Sequence, residues 1–401
     1  MIPRFRPPYK ILDLQVVLEI NNFKKVKNKF EIAFAKKANQ GYARVFPYGR
    51  TALVAVLEYL KENAPPHKTQ VICPSYTCIV VAHAIVEAGL DPVFIDIENE
   101  SLNMDWNFVN QAVSEKTLSV ISTSLFGNPV QKSILESFRG EHPNIPIIQD
   151  CAHSFFADQI NREGFAAIYG MNVSKIITTI SGGMVSTDDA KLAKWLEHYQ
   201  SQKLNAPSFT DRLYRSFYLF GALIAFSKLA YWFVFYLQNR GFLDRFVNYY
   251  NPNLIDFPKD AYKQIGVIEC ALGLRQLKNY DKEILRRRNL ARIYKKFASS
   301  HLIFSTIKYE ANSTYSHFVV KSSWAENLIL LLRKRGIELG QIVDYDVSSL
   351  PAYTWAPYFG QGLSRKAPTV VINLPIHHGV SERVAKKILR DLDVVSTKFK
   401  N

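Results

Sequence analysis

Between about residues 50 and 200 the chain alternates helix-like and strand-like runs, and no other feature restricts its fold as strongly. "TALVAVLEYLKENA" carries apolar residues at helical spacing. "QVICP" reads as a short strand ending at a turn, and "CIVVAHAIVEAG" as a helix closed by Gly89. "DPVFIDI", "LSVISTSLFG" and "IPIIQD" follow as further strand candidates at similar intervals. Short apolar strands separated by helices specify an α/β fold with a mainly parallel, doubly wound sheet. Ligands of such sheets sit at the carboxyl ends of the strands. Neither GxGxxG nor GxxxxGK[ST] occurs, so the sequence gives no support for a nicotinamide or nucleoside-triphosphate site.

From about residue 260 the pattern changes. "KQIGVIECALGLRQLKNYDKEILRRRNLARIYKKF" predicts a long, broken amphipathic helical stretch. Strands at "HFVVKSS" and "TVVINLP", a helix between them and another at the end suit a smaller α+β C-terminal domain. The expected division is 1–205 for the N-terminal and large cofactor-binding domain, 206–258 for an aromatic-rich insertion, and 259–401 for the small domain.

That insertion contains "FYLFGALIAFSKLAYWFVFYL", residues 217–237, long enough to cross a bilayer. Lys228 falls near its middle, where a span would cost about 2.5–3.5 kcal/mol more to insert. Nine aromatic side chains, flanked by Arg212, Arg215, Arg240 and Arg245, better suit an element lying at a membrane surface. The competing reading is a helix packed against the rest of the protein or a second subunit.

The chain holds 50 Lys and Arg against 35 Asp and Glu, a formal net charge of +15, which favours an anionic partner. The basic runs "FKKVKNKF" and "RRR" (286–288) lack any accompanying nucleic-acid motif and read as solvated faces. Four cysteines without metal or disulfide spacing, and an opening "MIPRFRPPYK" without a signal-like apolar run, predict a cytoplasmic protein. No HExxH-type histidine pair marks a metal site.

One neighbourhood carries chemistry. "PIIQDCAHSFF" puts Asp150 at the carboxyl end of a strand, and "MNVSKIITTISGGMVST" puts Lys175 on a strand or turn among apolar residues. A carboxylate that keeps a pyridine nitrogen protonated, with a lysine that forms an imine, is the pair pyridoxal phosphate requires. A lysine desolvated by apolar neighbours loses proton affinity and serves as nucleophile and proton carrier. Gly182 and Gly183 allow a tight turn and close backbone approach. Upstream, "YGRTAL" sets Gly49, Arg50 and Thr51 at a helix start, a seat for phosphate.

In that order and spacing, the residues identify a resemblance to the DegT-type aminotransferases, the sugar-aminotransferase branch of fold-type-I pyridoxal-phosphate enzymes. It extends over nearly the whole chain, through "FEIAFAKKANQGYARVFPYGRTAL", "IIQDCAHS", "SKIITTISGGMVSTDD", "ALGLRQL" and "INLPIHHGVSE". The resemblance implies an aspartate-aminotransferase-like large domain, with Lys175 holding the cofactor and Asp150 on its ring nitrogen. His153 would lie beside the ring, and Gly49, Arg50 and Thr51 would bind the phosphate. Where relatives stack an aromatic on the ring, this chain has Cys78, so either Tyr76 substitutes or a weaker contact suffices. Relatives commonly have a phosphate-binding Ser five residues before the lysine; here that position is Gly170, with Ser174 adjacent to the lysine. "GEGG" becomes "ISGG", with Ser181 for the acid, and "NYRM", supplied by the partner subunit, becomes "AYKQ", with Ala261 for Asn and Lys263 for Arg. These changes bear on phosphate and substrate contacts and leave the lysine chemistry intact.

The implied activity is transfer of an amino group from an amino acid, glutamate first among candidates, to a nucleotide- or lipid-linked keto-sugar. Polysaccharide, glycolipid or antibiotic biosynthesis would use the product. The resemblance also implies a homodimer, and residues 213–246 suggest peripheral contact with the inner face of a membrane. Two alternatives stay open: another pyridoxal enzyme class sharing Asp150 and Lys175, and a non-catalytic or differently specific protein of this fold on a membrane surface.

Overall fold

A computed structural model describes residues 1–18, 22–227, 230–240, 251–300 and 303–399. After α1 (Phe23–Ala38) the chain alternates β1 (Tyr42–Phe46), α2 (Gly49–Glu62), β2 (Gln70–Pro74), α3 (Val80–Glu87), β3 (Asp91–Ile95), α4 (Trp106–Ala112), β4 (Thr117–Thr123), α5 (Lys132–Glu141) and β5 (Ile147–Asp150). β6 (Ala166–Gly170), β7 (Gly183–Thr187) and α6 (Ala190–Lys203) follow. Two helices, α7 (Phe209–Ala225) and α8 (Ala230–Asn239), lead to the C-terminal elements. These are α9 (Val267–Ala298), β8 (Ser305–Thr306), β9 (Phe318–Lys321), α10 (Ala325–Lys334), β10 (Tyr358–Phe359), α11 (Leu363–Val370), β11 (Val371–Leu374) and α12 (Glu382–Ser396).

The large sheet has eight strands in the order β1-β7-β6-β5-β4-β2-β3-β10. β7 runs antiparallel to β1 and β6, and the remaining pairs are parallel. Every residue of β4, "TLSVIST", is buried, as expected of a strand covered on both faces. One core joins α2 and α3 to the sheet and continues into the C-terminal elements; the other packs α1, α5 and the first half of α9. A three-stranded antiparallel sheet, β11-β9-β8, lies in the C-terminal part.

The stretch expected to be a broken helix is instead one helix, α9, of 32 residues. Residues from Ile268 to Ile284 serve one core and Leu290, Ala291, Tyr294 and Ala298 serve the other. A helix that changes cores midway shifts its apolar face, which imitates a break in the sequence pattern.

Residues 217–237 fall on α7 and α8, which meet at 96°. Among the described residues no single helix is long and apolar enough to cross a membrane. Lys228 and Arg245 lie outside the described residues. Leu219 is buried in α7, while Leu213, Phe217, Phe220 and Ile224 form an exposed stripe at helical spacing. Phe217 is 66% exposed and Trp232 on α8 61%. Two flanking arginines turn inward: Arg212 donates to the Val17 carbonyl, and Arg215 pairs with the buried Glu269 at 3.0 Å.

Candidate active site

The carboxyl edge of the large sheet opens into a cavity of about 140 Å³. Five crossings end there: Tyr48, Gly49 and Arg50 after β1, Thr77 and Cys78 after β2, Thr123 and Leu125 after β4, Asp150 and His153 after β5, and Gly170, Asn172 and Lys175 after β6. Sequence-distant residues meet because parallel strands deliver their C-terminal ends to one edge. A single water needs about 10–15 Å³ on this measure, so the cavity admits a ring-sized ligand.

The glycines fix its floor. A Cβ on Gly183 would stand 2.3 Å from the Tyr48 carbonyl carbon and 2.5 Å from the Gly49 nitrogen. One on Gly49 would meet Gly170 Cα at 3.1 Å. Three backbones thus approach more closely than side chains would permit. Gly182, at φ +153°, makes the turn into β7. At the start of α2, Tyr48 offers no side-chain cap, leaving the first amides to face an anion.

Lys175 sits in a turn rather than a strand, its N–H bonded to the Asn172 carbonyl at 3.1 Å. Burial lowers its amine below the ordinary lysine value, opposed by Cys78 and Asp150. Burial raises the Asp150 carboxyl, opposed by the Ala152 amide at 3.0 Å and the charge of Lys175. His153 lies well below its usual value through burial and the nearby Lys175. Its Nδ1 accepts the Phe126 N–H at 3.2 Å, which leaves Nε2 to carry the proton of the neutral ring. Thr123, register partner of Asp150, sets its hydroxyl beside that carboxyl and helps to oppose the effect of burial on it.

Of the residues singled out from sequence, Gly49, Arg50, Cys78, Asp150, His153 and Lys175 share this wall. Four others do not. The Thr51 hydroxyl donates to the Ala261 carbonyl at 2.8 Å, tying α2 to the segment before α9. Tyr76 is buried with its hydroxyl on the Val343 carbonyl at 3.1 Å, so Cys78, not Tyr76, lines the wall. Ser174 donates to Asn172 Oδ1 at 2.8 Å and faces a neighbouring cavity. Lys263 pairs with Asp211 at 2.6 Å.

Sequence reasoning missed Thr123 and Asn172. For Asn172 a signal existed: Asn two residues before Ser174, accepting that residue's N–H at 3.2 Å, is an Asx turn that presents the lysine. The donor set fits pyridoxal phosphate: an amine, a carboxyl held from water, and an anion-accepting helix start on one cavity.

Comparison with known proteins agrees. The profile of the DegT/DnrJ/EryC1/StrS aminotransferase family matches residues 14–223 and 237–393, leaving out 224–236, which takes in the end of α7 and most of α8. A GDP-perosamine synthase of Escherichia coli O157:H7 is 27% identical over 277 residues, 68% of this chain and 63% of that protein. A UDP-4-amino-4,6-dideoxy-N-acetyl-beta-L-altrosamine transaminase of Helicobacter pylori is 24% identical over 208 residues, 50% of this chain and 55% of that protein. The matched regions thus span less than two thirds of either relative. The solved Helicobacter pylori aminotransferase PseC, of pseudoaminic acid biosynthesis, superposes with a TM-score of 0.77 at 18% identity, covering 99% of this chain and 100% of that one. The chain therefore belongs to the DegT/DnrJ/EryC1/StrS aminotransferase family.

Proposed function

We propose that this chain is a pyridoxal-phosphate-dependent aminotransferase that moves nitrogen from an amino acid, glutamate by preference, to a nucleotide-linked keto-sugar. The observation that carries the reading is the convergence of Lys175, Asp150 and the amides at the start of α2 on one cavity. Pyridoxal phosphate, when bound, supplies an electron sink for the carbon that loses its proton. Asp150 would keep the ring nitrogen protonated, and the amides of Gly49 and Arg50 would hold the phosphate. Lys175 Nζ, its proton affinity lowered by burial, would anchor the cofactor and then carry the proton removed from the donor Cα. His153 and Cys78, which line the same cavity, would lie beside the ring, and the small Cys78 would leave its face open. The names of the similar proteins support a sugar acceptor.

A homodimer fits the resemblance, with Lys263 offered to the partner's cavity. The exposed aromatic stripe on α7 and α8 favours peripheral contact with the inner face of a membrane, where a lipid-linked acceptor would also be found. Incubating the purified protein with glutamate and a panel of nucleotide keto-sugars tests the function. Formation of 2-oxoglutarate only when a keto-sugar is present is expected; its absence with every acceptor and every amino acid would refute the reading.

A further inference from the structure

Lys175 lies within a loop that leaves the large sheet after β6 and re-enters it at β7. The neck of the loop is closed by backbone: the Met171 N–H bonds the Gly182 carbonyl at 2.8 Å, and the Thr179 N–H bonds the Met171 carbonyl at 2.9 Å. Its return leg is strained. Ile180 stands at φ +79°, a left-handed conformation that a β-branched residue avoids. Such a conformation persists only where the surroundings over-determine it.

Those surroundings come from the N-terminal segment. The Tyr9 hydroxyl accepts the Ile180 N–H at 3.1 Å, which leaves its own hydrogen for Thr178 Oγ1, also at 3.1 Å. Tyr9 is buried in one core with Ile180, Leu219 of α7 and Leu272 of α9. Elements other than the loop hold it in place. Before it, the Ile2 N–H bonds the Gly336 carbonyl at 2.8 Å. After it, Arg275 of α9 pairs with Asp13 at 3.3 Å, and Arg212 of α7 donates to the Val17 carbonyl at 2.9 Å. The hydroxyl is therefore a fixed point on which the lysine loop hangs. Without it the Ile180 N–H would be buried and unpaired, and the strained leg would be free to relax.

We propose that Tyr9 is a positioning residue for Lys175: its hydroxyl grips the strained return leg and so keeps the amine facing Asp150 across the cavity. The inference rests on the aminotransferase reading and adds to it a residue outside the cavity wall.

The test compares the full-length, cofactor-loaded wild type with Tyr9→Phe and with Tyr9→Phe/Ile180→Gly. Tyr9→Phe keeps the ring and removes both bonds. At saturating glutamate the loss of visible absorbance should slow about tenfold, the scale of one buried hydrogen bond. The glutamate concentration giving half the maximal rate should not move. Amide exchange of the peptide spanning 176–183 should quicken in the same variant. Glycine takes left-handed backbone without strain, so adding Ile180→Gly should recover most of the rate while leaving the melting temperature low. A wild-type rate in Tyr9→Phe, unaltered exchange, or no recovery in the double variant overturns the grip. The two ideas fail separately: a wild type whose absorbance no amino acid diminishes refutes the aminotransferase reading, while exchange alone still decides whether Tyr9 holds the loop.

Discussion

At the scale of single residues, Lys175 and Asp150 are each pushed by burial toward the neutral form, yet stand where each offsets the other's penalty. Capture of an aldehyde needs the unprotonated amine, so the rate of pyridoxal phosphate uptake by the apoprotein rises with pH through the lysine's pKa. Because burial lowers that pKa, the rise should be centred below the ordinary lysine value of about 10.4. Following the visible absorbance after mixing, at a series of pH values, checks this; a midpoint at or above the ordinary value would mean that water reaches the amine. Most of this residue-level chemistry was legible in the sequence, since "IIQDCAHS" and "SKIITTISGG" name the acid, the histidine and the lysine directly. The Tyr76 and Thr51 side chains point away from the wall, a matter that burial and side-chain direction decide. One residue's shift along the loop after β2 exchanges a wall position for a core position, as Tyr76 and Cys78 show.

Individual elements are held in place by contacts that invite direct tests. Gly183 lets β7 pass against the start of α2, and Gly183→Ala must push Tyr48 and Gly49 aside, since the obstruction is backbone. It should cost about 1–3 kcal/mol of stability and weaken cofactor retention, read by chemical unfolding and by absorbance after gel filtration. Asp96, after β3, is buried and accepts the amides of Ile97, Gln361, Gly362, Leu363 and Ser364, fastening the start of α11 to the large sheet. Burial alone would raise its carboxyl, but the amides outweigh burial and hold it below the usual value. A depressed folded pKa means that its stabilisation is present above the unfolded carboxyl pKa and is lost as pH falls through the folded one. Asp96→Asn should thus cost about 1.5–3 kcal/mol at neutral pH, with the gap to wild type closing under acid. Denaturant melts at both pH values decide it, and a gap independent of pH would contradict the charge-based fastening. Strands and helices were readable from periodicity. The continuity of α9 was not, because its change of cores blurs the apolar pattern, and the link from Asp96 to α11 spans too much sequence for any local signal.

For the whole molecule, the apolar surface on α7 and α8 sets it apart from a fully packed α/β fold. The sequence marked 217–237 as aromatic and unusual; the 96° bend and the inward turn of Arg212 and Arg215 depend on packing against Glu269 and the N-terminal segment. An exposed stripe of this kind on a basic protein is expected to bind anionic vesicles. Co-sedimentation with vesicles containing anionic lipid should retain the full chain and lose a variant lacking 213–246, provided that the variant keeps its cofactor absorbance; equal sedimentation of the two would assign the surface to protein contact.

Borohydride reduction of the cofactor-loaded protein, followed by digestion and peptide mass analysis, probes the lysine directly. One pyridoxyl adduct should appear, on the peptide carrying Lys175, and Lys175→Ala should yield none while still folding. An adduct on another lysine, or undiminished labelling of the variant, would contradict the site as built here.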